Sequence, residues 1–466
     1  MRYYEIFSPD DLGTIHENVL DILEKTGIDF YWEPAMKVFR KAGCRLDGSR
    51  VFFPRKLVEE QRRLAPSSFT VYGRTPERDV IFDRDSFVTI PCYGSPYVHH
   101  LGEERRDGTK EDFIKFTKLT QDSPQLDLVS GVPCEMADLP LATRDKEYIR
   151  TILELSDKPF VVSKNAGVLK SALELSCILY GSPEDLINKP RFMAITDSLP
   201  PLTYDDTMAE MLIFCAEYGI PQRIGGLGLS GLTTPVTWPG VLSQMTAEAL
   251  AGIVLAQLIR PGTPVLLNNS SSATDMKTLG LSVGAPESAI NCIGTTQMAR
   301  FYGIPCRSGG ALSDSKIVDA QAGAETMMNL LTSAMSGANF ILHACGILEA
   351  YMVSSLEKFV LDEECCAMVR HIRRGAEVNE ESLARKAIDD IGPRGNYLTY
   401  KHTTKHYKSL FQPVLFNRDN YGRWVAAGGK DCAEAARDLW QKRLDKFVAP
   451  PLGGDDLKQL ADYVKS

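Results

Sequence analysis

Short apolar runs recur through the middle of the chain at a near-constant spacing. They read SFVTIPC (86–92), DLVSGV (127–132), PFVVSK (159–164), RFMAITD (191–197), QRIGGL (222–227), PVLLNN (264–269), PCRSGG (305–310) and NFILHAC (339–345). Consecutive runs lie about 30–40 residues apart, the length of one βα repeat. Each ends in small or polar residues, and most are followed by apolar residues at helical spacing. Eight such units predict an α/β fold of the (β/α)₈ TIM-barrel type; an open, doubly wound sheet is the alternative reading of the same rhythm.

The flanks follow other patterns. Residues 9–65 hold two amphipathic helical stretches, one opened by Asp10 or Asp11 with Leu20, Ile22, Leu23 and Ile28 on its apolar side, the other around Glu33–Gly43. Residues 69–105 alternate and turn often (FTVYGRT, RDVIFD, PYVHHLG), as short paired strands do. Thr109 followed by Glu111 and Asp112 marks a helix start. Beyond residue 350 the chain is charged and helical, as in SLEKFVLDEECCAMVRHIRRG and CAEAARDLWQKRLDKFV. The division that results is an N-terminal helical and β-hairpin segment (1–85), the barrel (86–350) and a C-terminal helical extension (351–466).

Composition narrows the class. Hydrophobic residues make up 44% and charged residues 24%, as in ordinary globular proteins. A net charge of −8 argues against nucleic-acid partners and favours cationic over anionic ligands. The N-terminus lacks the basic and apolar regions of a signal peptide. The longest apolar helical stretch, Thr246 to Ile259, is interrupted by Glu248 and Gln257 and reads as a buried helix, so no membrane span is expected. Eleven cysteines without a spacing framework, including the adjacent Cys365 and Cys366, fit a reduced, cytoplasmic setting.

Chemistry is expected where the strands end, because barrel active sites lie at that face. Residues 305–350 are the richest stretch there. A buried Arg307 needs a carboxylate or a ligand anion, and Asp314 and Asp319 are near in sequence. His343 and Cys345, two apart on a strand, would share a side. They offer two soft metal ligands without an obvious third, or His343 touches substrate or handles a proton. Backbone N–H groups at Gly309 and Gly310, and the side chains of Asn268 and Asn269, are further polar groups at strand ends. Tyr93, Tyr97, Trp238, Tyr351 and Phe359 are the aromatics near those ends. Gly226 to Gly231 fits GxGxxG, but the residues through Trp238 and Pro239 suit a loop better than a phosphate-facing helix start. His402 and His406 have helical ligand spacing among Lys401, Lys405 and Lys408, and read as a solvated basic face.

Six ordered segments carry a family resemblance: Gly73-Arg74-Thr75-Pro76, GEERRDGTKEDF (102–113), Asp157-Lys158-Pro159, Gly284-Ala285-Pro286-Glu287, SDSKIVDAQAGAE (313–325) and SLEKFVLDEE (355–364). Over nearly its full length the chain resembles the trimethylamine methyltransferase family. The resemblance implies a (β/α)₈ barrel that moves a methyl group from a methylated amine to the Co(I) of a corrinoid on a partner protein. Members that use trimethylamine carry pyrrolysine; this chain has none. It is therefore similar to the pyrrolysine-free branch, which acts on quaternary amines. Glycine betaine is the favoured substrate; proline betaine, carnitine and γ-butyrobetaine are alternatives.

A quaternary ammonium leaves as a neutral tertiary amine, such as dimethylglycine, so positioning does most of the work and no tightly bound metal is expected. The substrate contacts expected are Tyr93, Tyr97, Asn268, Arg307, Gly309, Gly310, His343, Tyr351 and Phe359, with Asp314 or Glu349 adding charge complementarity to the cation. His343 is the catalytic candidate. A zinc-dependent methyltransferase on the same barrel and a non-catalytic betaine-binding subunit are the rival functions. A homo-oligomer is compatible with the architecture.

Overall fold

The eight apolar runs become eight parallel strands in the computed structural model, which describes residues 3–465. They are β1 (Val88–Thr89), β2 (Val129–Ser130), β3 (Phe160–Val162), β4 (Phe192–Thr196), β5 (Gln222–Ile224), β6 (Val265–Asn268), β7 (Cys306–Arg307) and β8 (Phe340–Ile341). Each strand from β2 to β8 pairs with its neighbours in sequence, and β8 pairs in parallel with β1 through Phe340–Val88. The seam between β1 and β2 is closed by the Asp127 N–H donating to Thr89 O at 2.8 Å, and by the Thr89 N–H donating to the Asp127 carboxylate at 2.8 Å. The sheet is thus a closed ring, which rules out the open doubly wound alternative.

Eight helices follow the strands: α1 (Lys110–Asp122), α2 (Leu141–Leu155), α3 (Ala166–Tyr180), α4 (Asp206–Glu217), α5 (Trp238–Ile259), α6 (Pro286–Tyr302), α7 (Ala320–Ser336) and α8 (Leu356–Arg374). α1 starts at Thr109, whose hydroxyl accepts from the Asp112 N–H while Asp112 accepts from the Thr109 N–H. The βα rhythm runs on through α8, which lies within the segment assigned above to the C-terminal extension.

α5 begins at Trp238, with Pro239 in its first turn, eight residues before the expected start at Thr246. It is apolar on every side because the barrel covers one face and the N-terminal helices Pro9–Asp21 and Arg55–Arg62 cover the other. Among the described residues it is the one helix long and apolar enough to cross a membrane, and its burial marks it as core. The first N-terminal helix is capped by Ser8, not by Asp10 or Asp11; Asp11 instead completes the reciprocal box from the third helical position. All eleven cysteines are free thiols.

Inside the ring, Ile90, Leu128, Val161, Met193, Ile195, Leu266, Phe340 and Leu342 form one apolar cluster. The antiparallel hairpin of Phe69–Val71 with Val80–Phe82 adds Val71, Val80 and Phe82 to it. Phe82 meets Phe340 edge-on, with ring centroids 5.7 Å apart. This hairpin packs into the N-terminal end of the barrel and fills it with apolar side chains.

Candidate active site

A small cavity of about 170 Å³ opens at the C-terminal ends of the strands. Ile195 and Leu342, the uppermost members of the interior cluster, are among its lining residues. Its polar lining comes from seven different strand ends or loops: Tyr93 after β1, Ser163 after β3, Asp197 after β4, Arg223 on β5, Ser270 after β6, Arg307 on β7, and His343 with Tyr351 after β8.

Two arginines dominate it. Arg223 holds Asp197 in a two-pronged contact, Nη2 to the carboxylate oxygens at 2.7 and 2.8 Å. Arg307 has no acidic partner among the described residues; its Nη1 donates to the Ser270 hydroxyl, as does Arg223 Nη1 at 3.4 Å. Ser270 in turn donates to Asn268 Oδ1 at 3.0 Å, so Asn268 orients the hydroxyl that receives both cations. Asp314 and Asp319 do not serve Arg307. Asp314 accepts from the Val283 N–H at 2.9 Å, and Asp319 caps α7 by accepting from the Ala322 N–H at 2.9 Å. Burial, with the like charge of Arg223 adding to it, pushes Arg307 down to about 10, so it remains a cation at neutral pH. Burial pushes Asp197 up, opposed by Arg223 and Arg307.

The other half of the cavity is aromatic. The His343 and Tyr351 rings lie 4.7 Å apart at 44°. The Tyr93 N–H donates to His343 Nδ1 at 3.3 Å, which leaves the ring proton on Nε2. Burial, then Arg307 and Arg223, push His343 well below its ordinary value of 6.5. The lining therefore carries one unbalanced charge, that of Arg307. The hydroxyl of Tyr93 lies beside Ser163 and that of Tyr351 beside Arg307, so both buried tyrosines turn their polar ends to the cavity.

Proton linkage gives this arrangement a sign. His343 is neutral in the fold and titrates near 6.5 when unfolded. Its contribution to stability is complete above pH 6.5 and is lost as pH falls through 6.5 towards the lower folded value. Histidine ring NMR is expected to show His343 still neutral below its ordinary value of 6.5, and His343→Gln should remove this component of the pH dependence.

The segment after β8 is held in an unusual backbone. His343 has φ 61°, and Glu349, Ala350 and Tyr351 have φ 49°, 48° and 78°. Such residues cost roughly 1 kcal/mol or more each and persist only where their surroundings fix them. Two anchors do so. The Gly346 N–H donates to Asp362 Oδ2 on α8 at 2.8 Å. Glu349 pairs with Arg105 at 3.0 Å, and that guanidinium lies 3.7 Å from the Tyr97 ring centroid. Arg105→Ala is expected to raise KM up to about fivefold with little change in melting temperature, since a partly exposed pair is worth about 0–1 kcal/mol; steady-state kinetics check it.

Of the expected contacts, Tyr93, Arg307, His343 and Tyr351 are brought together, and the others are not. Tyr97 stacks under Arg105, outside the cavity lining. Phe359 is fully buried in α8 near Phe116. Gly309 and Gly310 serve close packing: a Cβ on Gly310 would lie 2.5 Å from Leu342 O, and one on Gly309 would run into Ser333. Asn268 acts one step removed, through Ser270. Asn269 bonds Asn291 at 2.8 Å, and Glu349 bonds Arg105. His343 and Cys345 do not share a side, because the strand ends at Ile341 and the left-handed turn at His343 breaks the alternation. Cys345 Sγ faces Cys366 Sγ at 4.0 Å in the core.

Residues 226–231 form a loop, and helix α5 begins seven residues beyond it. Glu381, His402 and His406 approach one another within 4.8 Å, but Lys405 Nζ already sits 2.9 Å from the same Glu381 oxygen that His406 contacts.

Arg223 and Asp197 were missed. The signal was available: Arg223 interrupts an apolar run as Arg307 does, and the same question about its counter-charge leads to Asp197 at the end of the preceding run.

The whole chain, residues 1–466, matches the family description trimethylamine methyltransferase. It is 40% identical over 451 residues to the glycine betaine methyltransferase of Desulfitobacterium hafniense (strain Y51), covering 96% of this chain and 94% of that protein. It is 34% identical over 476 residues to the proline betaine:corrinoid methyltransferase of Eubacterium limosum, covering 100% and 96%. It is 30% identical to trimethylamine methyltransferase MttB1 of Methanosarcina acetivorans, covering 98% and 94%. The crystal structure of monomethylamine methyltransferase of Methanosarcina barkeri superposes with a TM-score of 0.51 at 13% identity, covering 94% of this chain and 93% of that one; this supports the fold alone.

Proposed function

The chain belongs to the trimethylamine methyltransferase family, and from that premise we propose that it transfers a methyl group from a small carboxylate-bearing quaternary amine, glycine betaine, to the Co(I) of a corrinoid held by a partner protein. The observation that carries the substrate class is the pairing of an uncompensated Arg307 with the aromatic wall of Tyr93, His343 and Tyr351 in one cavity of about 170 Å³. One half suits a carboxylate and the other a methylated ammonium. Ordinary ligand pockets span about 300–1,000 Å³, so the smaller volume favours the smallest betaine over carnitine or γ-butyrobetaine.

The residue roles follow. Arg307 binds the carboxylate, and Ser270 and Asn268 hold the guanidinium in place. Arg223 is neutralised by Asp197 and rigidifies the wall. The Tyr93 and Tyr351 rings hold the ammonium, worth roughly 0.5–2 kcal/mol per ring. The neutral His343 packs Tyr351 against the substrate and offers its Nε2–H as a donor. No proton has to move, because the departing dimethylglycine nitrogen is neutral, so these side chains align the N–CH₃ bond and exclude water. The corrinoid, as the methyl acceptor, supplies the nucleophilic cobalt.

Mixing the protein with a Co(I) corrinoid and glycine betaine should produce methylcobalt, seen in the visible spectrum, and dimethylglycine; trimethylamine should give none. Absence of methylcobalt with every betaine would overturn the proposal.

A further inference from the structure

Glu248 stands on α5 amid Ala247, Ala249 and Leu250 and is fully buried. No cation lies beside it among the described residues. A buried carboxylate without a counter-charge is costly, and an apolar residue would fill the same place without that cost. What Glu248 has instead is three donors: the Ser198 hydroxyl at 2.5 Å, the Leu202 N–H at 2.8 Å and the Gln244 amide at 3.0 Å. Burial pushes the carboxyl up, and these bonds oppose it.

Those donors serve two walls of the cavity. Ser198 and Leu202 lie in the loop after β4, which starts at Asp197, the partner of Arg223. Leu202 has φ 55°, a backbone that persists only where its surroundings fix it. Gln244 also donates to Thr233 O at 2.9 Å, in the loop after β5 whose Leu227 lines the cavity. The two loops touch at Gly226, where a Cβ would lie 2.5 Å from Ser198 Oγ. One carboxylate thus ties both loops to α5.

We propose that Glu248 is a positioning residue for methyl transfer: through Ser198 it keeps Asp197 on Arg223, which leaves Arg307 as the unbalanced charge of the cavity lining. The two arginines already share the Ser270 hydroxyl. Were Asp197 to drift, Arg223 would bring a second uncompensated cation to the lining. It would repel a methylated ammonium and compete with Arg307 for the carboxylate. The effect on substrate rests on the proposed function; the anchoring of the loop does not.

Glu248→Gln should raise KM for glycine betaine about tenfold, inside the hundredfold that a misplacement of about 1 Å can cost, and change kcat less than about threefold. Ser198→Ala, which removes only the hydroxyl, should act in the same direction. Asp197→Asn should raise KM as well, and adding Glu248→Gln to it should raise KM little further, because both changes act through one contact. Without any substrate, hydrogen exchange at the Leu199 and Leu202 N–H groups of Glu248→Gln should quicken at least about tenfold while the barrel strands keep their protection. A KM within about twofold of wild type would overturn the proposal, and so would KM effects that multiply in the double variant, as a purely structural role predicts. If the wild-type protein transfers no methyl group, the proposed function fails, and unchanged exchange at Leu199 and Leu202 would then overturn the anchoring on its own.

Discussion

Arg307→Met is expected to lower kcat/KM for glycine betaine by about a hundred- to a thousandfold while leaving the protein folded. The size follows from the bond that is lost. Truncating one partner of a buried charge pair costs about 2–5 kcal/mol, and each 1.36 kcal/mol is tenfold. The direction for the fold follows from the free protein, where Arg307 is a buried cation with only the Ser270 hydroxyl and no acid beside it. Removing an uncompensated buried charge does not destabilise. Arg307→Lys should recover little, because a point charge on a flexible stem does not reproduce the planar fork. Arg223→Met makes a useful contrast: the Asp197 side chain it frees is 44% exposed, so the loss of stability should stay within about 1 kcal/mol. Steady-state kinetics with urea unfolding decide both. A less than fivefold loss at Arg307→Met would remove it from substrate binding.

Asp362→Ala is expected to cost about 3–5 kcal/mol of stability, the range for breaking a buried ion pair. Lys358 and Asp362 are both fully buried on α8, with Nζ 2.6 and 2.7 Å from the two carboxylate oxygens. Thr326 donates to the same carboxylate at 3.2 Å, and Gly346 does so through its N–H at 2.8 Å. Burial pushes the carboxyl up to about 6, with Lys358 opposing. Losing it leaves a buried ammonium unpaired and a backbone donor orphaned. The Gly346 turn stands between His343 and Tyr351, so substrate binding should weaken along with stability. Replacing both partners, Lys358→Met with Asp362→Leu, should recover the part of the loss due to the unpaired ammonium, while the Gly346 N–H stays without its acceptor. A single-variant loss below about 1 kcal/mol in urea titration would contradict the assignment.

Legibility in the sequence varied with the kind of interaction. Strands buried on both faces have to be apolar throughout, so all eight runs stood out and their spacing announced the helices between them. Helix starts were visible where a cap is local, as at Thr109, and were displaced where two caps compete, as at Ser8 and Asp11. The candidate site was half visible. Tyr93, Arg307, His343 and Tyr351 were named because each is an unusual residue at the end of a run. Tyr97, Phe359, Gly309 and Gly310 satisfy the same rule, yet the structure points them elsewhere.

By itself the sequence determined eight βα units and the end at which polar groups collect, because strand burial and repeat length are one-dimensional signals; that the eight strands close into a ring was decided by the pairing of β8 with β1. Tertiary structure alone decided which of those groups share a cavity. Arg307 meets Ser270, 37 residues away, and the Tyr93 N–H meets His343 across 250 residues. Side-chain direction at a strand end depends on one or two backbone dihedrals, as the left-handed turn at His343 does when it parts that residue from Cys345. No periodicity encodes such a turn; ring closure and the anchors at Asp362 and Arg105 impose it.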